Sequence, residues 1–257
     1  MTTHDNENQG APTLGGLTGR VALITGGSGG IGRALALRLA AEGMAVAVSY
    51  GSHARPAEEV VAEITAHGGK AIALGADLRQ AETPATLIAA VEQRLGPVDA
   101  LISNAGLGKM QSLEEVTSDD FDAMLAVNLR APFLLAQRVA PGMRERRFGR
   151  ILFMSSVAAF TGGIVGPHYA ASKAGLHGLT HFLASRLAPF GVTVNALAPA
   201  LITETGMLPG DPEQLRQQVP FGRLGRPEEV ADLAMAVLRN PYLTNQVISI
   251  DGGIYAR

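Results

Sequence analysis

Tyr169 and Lys173 stand four residues apart in the run His168-Tyr169-Ala170-Ala171-Ser172-Lys173. On a helix, positions i and i+4 share one face, one turn apart. An ammonium held there favours the ionised form of a phenol whose ordinary pKa is about 10. The expected product is an acid/base group that works near neutral pH. Ser156, thirteen residues upstream of the tyrosine, offers a hydroxyl from another element to orient a carbonyl or alcohol. Alone, Tyr-x-x-x-Lys more often marks a half-buried Tyr and a solvated Lys on an amphipathic helix. The surroundings of the pair decide between the two.

A second chemical element lies near the N-terminus, in Thr25-Gly26-Gly27-Ser28-Gly29-Gly30-Ile31-Gly32. Glycines 26, 30 and 32 allow a tight turn, close approach of backbone to a pyrophosphate, and close packing of helix on sheet. The helix that follows would offer its first N–H groups and positive dipole end to phosphates. A strand pattern precedes this run and a helical pattern follows it, the context a dinucleotide site requires.

The elements that must hold these groups alternate along the chain. Apolar runs at 21–25, 44–50, 71–74, 100–103, 151–155, 193–197 and 246–250 read as strands. Helical patterns fall at 30–42, 56–67, 119–145, 169–188 and 228–238. Buried runs without polar alternation, separated by helices, predict βαβ units with right-handed crossovers. The expected fold is α/β, a single doubly wound domain over 20–257 with a parallel seven-stranded sheet. Residues 1–19, polar and Gly-rich, are expected to form a flexible tail. The segment at about 201–221 shows little regular pattern and follows a strand end. It is expected to be a lid over the ligand, with Met207 and Leu208 as apolar cover.

Composition narrows the chemistry. The chain has 257 residues, 31 Gly, no Cys and a net charge of −2. Thiolate catalysis, disulfides and Cys-ligated metals are excluded, and no metal site is expected. The charge balance argues against nucleic acid as a partner, and no Lys/Arg block suggests a membrane surface. No apolar run is long enough to span a bilayer, and residues 1–19 have no signal-peptide pattern, so a cytoplasmic protein is expected.

With these motifs in view, the chain from about residue 18 to 257 resembles the short-chain dehydrogenase/reductase family. The match rests on Thr25-Gly26-x-x-x-Gly30-Ile31-Gly32, Asp77-Leu78, Ser103-Asn104-Ala105-Gly106, Val127-Asn128-Leu129, Ser155-Ser156-Val157, Tyr169-Ala170-Ala171-Ser172-Lys173, Val194-Asn195-Ala196-Leu197-Ala198-Pro199, Gly225-Arg226-Pro227-Glu228-Glu229-Val230 and Asp251-Gly252-Gly253, in the family's order. Within the family it is most similar to bacterial 3-oxoacyl-(acyl-carrier-protein) reductases. The resemblance implies a Rossmann-type enzyme in which Tyr169 protonates a carbonyl oxygen as hydride reaches carbon. It implies that Lys173 lowers the tyrosine pKa and holds the nicotinamide ribose, that Ser156 polarises the carbonyl, and that Asn128 holds a water for proton supply. It places Gly26, Ser28, Gly30, Ile31, Gly32, Asp77, Leu78, Asn104, Ala105, Gly106, Tyr169, Lys173, Pro199 and Ile202 beside the cofactor, with Asp77 on the adenine. Pro199-Ala200 stands where the family has Pro-Gly. The stretch after it is one residue longer, so Thr203 or Thr205 takes the family's Thr role, with Thr205 favoured. His168 is expected to be pocket wall and not a catalyst.

NADP is the expected cofactor, with NADPH preferred over NADH. The second strand ends Ser49-Tyr50-Gly51 without the acid that would bond a ribose 2′-hydroxyl, and Ser28, Ser52, His53 and Arg55 are in reach of a 2′-phosphate. Arg55 reads equally as a solvated charge at a helix start. The substrate implied is a 3-oxoacyl thioester; the alternative is a free small ketone, sugar or secondary alcohol. A nucleotide-binding protein without turnover is a third reading, which the intact Asn128, Ser156, Tyr169 and Lys173 oppose. Acyl-carrier protein is acidic, and Arg144, Arg146, Arg147 and Arg150 form a candidate docking cluster. Phe190 and Arg186, however, replace residues usual in such reductases. Apolar residues around most of helices 119–145 and 169–188, with the family's assembly, suggest a homotetramer.

Overall fold

The computed structural model describes residues 16–208 and 210–255. Its strands are β1 Val21–Thr25, β2 Ala45–Tyr50, β3 Ala71–Gly75, β4 Val98–Ser103, β5 Gly149–Met154, β6 Val192–Pro199 and β7 Val247–Ile250. They form one parallel seven-stranded sheet in the order β3-β2-β1-β4-β5-β6-β7. The chain winds outward from β1 to β3, then returns to the other side of β1 with β4. That reversal opens a crevice at the C-terminal ends of β1 and β4, where such sheets take ligands.

The helices are α1 Gly30–Ala41, α2 Ala54–Ala66, α3 Thr83–Leu95, α4 Ser118–Leu125, α5 Ala131–Glu145, α6 Ala158–Thr161, α7 Pro167–Leu187, α8 Pro212–Arg216 and α9 Pro227–Arg239. Alternate residues of each strand feed two cores. Ala22, Ile24, Val46, Val48 and Ile102 pack under α1, α2 and α9, which contribute Leu35, Leu39, Val60, Ile64, Val230 and Leu238. Leu23, Ala47, Leu101, Ile151 and Phe153 pack under α3, α5 and α7, with Leu87, Val91, Leu135, Val139 and Leu176. Both faces of the sheet are therefore covered, and outside the start of β6 the strands read mostly as apolar runs.

Several expectations change. The helix expected over 119–145 is broken: a π-helical turn, Ala126–Arg130, separates α4 from α5. The cause is Pro132. In α register the Asn128 carbonyl would accept from the N–H of residue 132, and proline has none. Helix α3 has no counterpart in the sequence reading, although Pro84 in its first turn and Leu87, Ile88 and Val91 on its buried face marked it. The segment at 201–221 is not without structure. It holds α8, whose N-cap Asp211 accepts from Glu213 N. Leu215, Val219 and Leu224 bury there against Leu201, Leu208 and Ile254. Most of the tail expected over 1–19 lies outside the described residues. Of those described, Leu17 is buried in the core and Gly19 N donates to Gly43 O, so packing begins before residue 20.

Candidate active site

A cavity of about 540 Å³ opens where β1, β4, β5 and β6 end. One wall is the glycine turn. Gly26 has φ 63°, and a Cβ on it would meet Ala105 Cα at 2.9 Å. A Cβ on Gly32 would stand 2.1 Å from Gly26 O. Asn104 Nδ2 donates to Thr25 O and Gly26 O, at 3.1 and 2.9 Å. Thr25 Oγ1 accepts from Asn104 N and Ala105 N, each at 3.1 Å. The Asn104-Ala105-Gly106 stretch after β4 thus staples the turn in one shape. This is a cradle only glycine can form, and a pyrophosphate fits it.

Tyr169 and Lys173 rise from the first turns of α7 into the same cavity, with Ser156 facing them from the end of β5. Tyr169 is 6 % exposed and Lys173 3 %. Lys173 Nζ lies 5.7 Å from the Tyr169 ring centre and donates to Met154 O at 2.9 Å. Asn128 is fully buried in the π turn. Its Nδ2 donates to Leu107 O and Ser172 Oγ, and its Oδ1 accepts from Leu107 N at 2.8 Å. The groups converge: a Cβ on Gly106 would stand 3.3 Å from both Asn128 Oδ1 and Lys173 Nζ. A side chain at Gly106 would crowd both groups.

The electrostatics differ from the sequence expectation. Burial pushes the Tyr169 phenol up from its ordinary value, and a hydrogen bond from Ser156 pulls it partly back. Burial also pushes the Lys173 ammonium down to about 8. Both groups lose solvation together, and the lysine spends its proton on the Met154 carbonyl. Burial is thus the larger influence on the phenol and the Ser156 hydrogen bond the smaller.

Gly26, Gly30, Ile31, Asn104, Ala105, Gly106, Pro199, Ile202 and Thr205 line the cavity with Ser156, Tyr169 and Lys173. Thr205 packs on the turn, its Cγ2 3.1 Å from where a Gly30 Cβ would stand. Thr203 instead bonds Gly225 O through its hydroxyl. Ala200 needs no left-handed backbone; Leu201 and Glu204 take it instead, with φ 49° and 56°. Ser28, Gly32, Ser52, Arg55, Asp77, Leu78 and Asn128 are not in the lining. Ser52 bonds its neighbour His53, and Asp77 is chelated by Arg79, which holds its carboxyl at about 2. Arg55 is paired with Glu59 one turn along α2 and is 88 % exposed.

Other expectations also change. His168 does not line the cavity; it is buried behind it. Arg144, Arg146, Arg147 and Arg150 gather at the start of β5, whereas the cavity is at its end. Arg146 pairs with Asp99, Arg147 donates to Pro189 O, Arg150 to Leu238 O, and Arg144 stacks on Phe190. Within the chain they are sheet-end caps, not a rim of the cavity. Two contributors went unread in the sequence: the Met154 carbonyl under Lys173, and His177, whose Nε2 meets Ser155 Oγ at 2.8 Å. Among the described residues no helix is long and apolar enough to cross a membrane.

The model of a family described as short chain dehydrogenase matches residues 20–215. A 3-oxoacyl-[acyl-carrier-protein] reductase of Synechocystis sp. is 39 % identical over 241 residues, covering 93 % of this chain and 98 % of the relative. Among solved structures, a short-chain dehydrogenase/reductase from Serratia marcescens is 38 % identical, with a TM-score of 0.87 over 93 % of this chain and 99 % of its own. A short chain dehydrogenase from Burkholderia cenocepacia in complex with NADP has the same identity and coverage, 38 %, 93 % and 99 %, at a TM-score of 0.86.

Proposed function

The chain belongs to the short-chain dehydrogenase/reductase family, and we propose that it reduces a ketone carbonyl with NADPH, the ketone being a 3-oxoacyl thioester. One observation carries the reading: a buried phenol and a serine hydroxyl share the cavity that ends in the glycine cradle. When bound, the dihydronicotinamide supplies the hydride. The NADP in the Burkholderia relative and the absence of an acid at Ser49-Tyr50-Gly51 support the phosphorylated cofactor. Gly26, Gly30 and Gly32 make room for its pyrophosphate, and Thr205 and Ile202 close the opposite side. Asp77 and Leu78, beyond β3, take the adenine.

Ser156 donates to the substrate oxygen and polarises it. Tyr169 then gives its proton to that oxygen. A phenol pushed up by burial carries its proton at neutral pH and stands ready as an acid. Lys173, at about 8, remains mostly charged at pH 7 and holds the ribose while returning a proton to the phenol. The Asn128 side chain is engaged by Leu107 and Ser172, so its main-chain carbonyl is the group that holds the water of the proton path. Pro132 deprives that carbonyl of its α-helical donor.

Ile164, Val165, Met207, Leu208 and Ile254 make the substrate end apolar, which suits an acyl chain. Because the arginine cluster sits at the far end of β5, a free apolar ketone is the second reading. NADPH oxidation with 3-oxoacyl thioesters and matched free ketones separates the two. Tyr169→Phe should lower kcat at least about 10²-fold while NADPH binding is nearly kept; near-wild-type turnover would overturn the mechanism. Exposed Phe133 and Phe182 on α5 and α7 support a homotetramer, which a monomer by light scattering at micromolar concentration would refute.

A further inference from the structure

Asp120 is the third residue of α4, whose N-cap Thr117 accepts from Asp120 N through its Oγ1 at 3.1 Å. An acid at this position commonly reaches back to the N–H of the capping residue. Here the carboxylate reaches away from the helix, to the chain that leaves β4. Oδ1 accepts from Lys109 Nζ at 2.8 Å, and Oδ2 from Gln111 Nε2 at 2.9 Å. Oδ2 also accepts from the Thr117 hydroxyl at 2.9 Å. Gln111 first, then Lys109 and Thr117, hold the carboxyl far below the usual carboxylate range. Asp120 is therefore ionised at neutral pH.

The chain it gathers belongs to the cavity. Gly106, just before that stretch, is part of the lining. Leu107 N donates to Asn128 Oδ1 at 2.8 Å and Leu107 O accepts from Asn128 Nδ2 at 3.0 Å, which ties the near end. At the far end Gln111 N donates to Val165 O at 3.0 Å. Val165 and its neighbour Ile164 line the substrate end of the cavity. Asn128 thus fixes one end of residues 107–111 and Asp120 the other. Met124, one turn further along α4, packs with Tyr169, and Val165 packs against the same cluster. Helix α4 therefore reaches the Val165 wall twice, by packing through Met124 and by hydrogen bonds from Asp120 through Gln111.

We propose that Asp120 is a positioning residue for the substrate: its carboxylate clasps Lys109 and Gln111, and the clasp holds the Val165 wall beside Tyr169. Asp120 is not in the cavity lining, so it acts through the residues it holds. The glycine cradle has its own staple, through Asn104. Loss of the clasp raises the substrate KM and spares the cofactor. The inference rests on the carbonyl-reductase reading.

The test compares the full chain as wild type, D120A, D120N, K109M, Q111M and D120A/Q111M, each assayed with NADPH and an apolar 3-oxoacyl thioester. The donor of the α4 cap bond is the main-chain N–H of residue 120, so the cap survives every substitution. D120A should raise the substrate KM about tenfold, with kcat and the NADPH KM each changed less than about threefold. K109M and Q111M each remove one donor and should raise it about threefold. The double variant should be no worse than D120A, since Gln111 acts through the same carboxylate. D120N keeps the shape and loses the charge, and should fall between D120A and wild type. In D120A, amide hydrogen exchange should quicken over residues 107–117 and 164–166 while residues 21–25 of β1 keep the wild-type rate; a merely structural loss would quicken all three. An unchanged substrate KM in D120A, additive losses in the double variant, or an equal rise in the NADPH KM overturns the proposal. Where D120A yields no soluble protein, D120N decides, and a wild-type substrate KM in it overturns the clasp. A wild-type protein that turns over no ketone defeats the reductase reading instead, and the exchange over residues 107–117 then judges the clasp alone.

Discussion

The turn after β1 and the segment after β6 leave neighbouring parts of the same sheet edge and touch each other across the cavity. A Cβ on Gly30 would stand 3.1 Å from Glu204 O and from Thr205 Cγ2. Both need left-handed backbone, and they obtain it differently. The turn uses Gly26 and Gly30, at φ 63° and 49°. The segment forces Leu201 and Glu204 into the same region, at φ 49° and 56°, which costs roughly 1–2 kcal/mol for each residue with a Cβ. Anchors hold that strain in place: Thr203 N and Oγ1 both reach Gly225 O, and Thr205 Oγ1 donates to Ile202 O. The turn is relaxed and leaves no spare room, while the segment is strained and pinned at a few points. One backbone conformation is therefore reached in two opposite ways on the two sides of the cavity.

The largest effect should come from filling the turn. Gly32→Ala puts a methyl 2.1 Å from Gly26 O, so backbone must move. It should destabilise the fold by about 3 kcal/mol in urea unfolding and abolish NADPH binding by fluorescence titration. A variant within about 1 kcal/mol of wild type would mean the turn has slack after all.

A middle-sized effect lies between the two regions, at Lys173. Its folded pKa of about 8 is below the ordinary 10.5. Below pH 8 both states are protonated, and the folded chain bears the burial of the charge. Between those two values the unfolded chain keeps a proton that the folded chain has lost, so stability rises with pH through that window. Lys173→Met should therefore look most favourable at pH 7, and its advantage should shrink by on the order of 2–3 kcal/mol by pH 10. A pH-independent difference between the two unfolding curves would show that no charge is buried there.

The smallest effect should come from relaxing the segment. Glu204→Gly should stabilise the protein by about 0.5–1 kcal/mol, the strain relieved less the added entropy of the unfolded chain. A loss of stability would remove the contrast with the turn.

The same contrast governs what the sequence discloses. The turn was legible because contacts to backbone demand glycine at fixed spacing, and Tyr169 and Lys173 because helix geometry pairs residues four apart. The sheet was legible because buried parallel strands read as continuous apolar runs. The direction of the Tyr169 shift was not legible, since it depends on how deeply α7 is buried and not on spacing along it. Arg55 shows the limit of counting charges, because the sequence does not say that Glu59, one turn away, pairs with its guanidinium. The arginines before β5 were visible as a cluster, but only the topology reveals which end of the sheet they occupy. Pro132 did announce the broken helix, though a proline reads as a kink or a stop before it reads as a π turn.

The wide turn at Ala126–Arg130 also sets a phase. An α-helix advances about 100° per residue, so one surplus residue rotates everything downstream by that angle. With the surplus in place, Met124 faces Tyr169 and Ala158 while Leu135 and Val139 face the sheet. Straightening this turn into α-helix with every residue kept would swing the downstream half by that angle, and one half or the other would aim its apolar side at solvent. At this point the protein is specified by chain length as much as by residue identity: the surplus residue and the wide turn that absorbs it come as a pair, and the faces on either side stay aligned only while both are kept or both are lost.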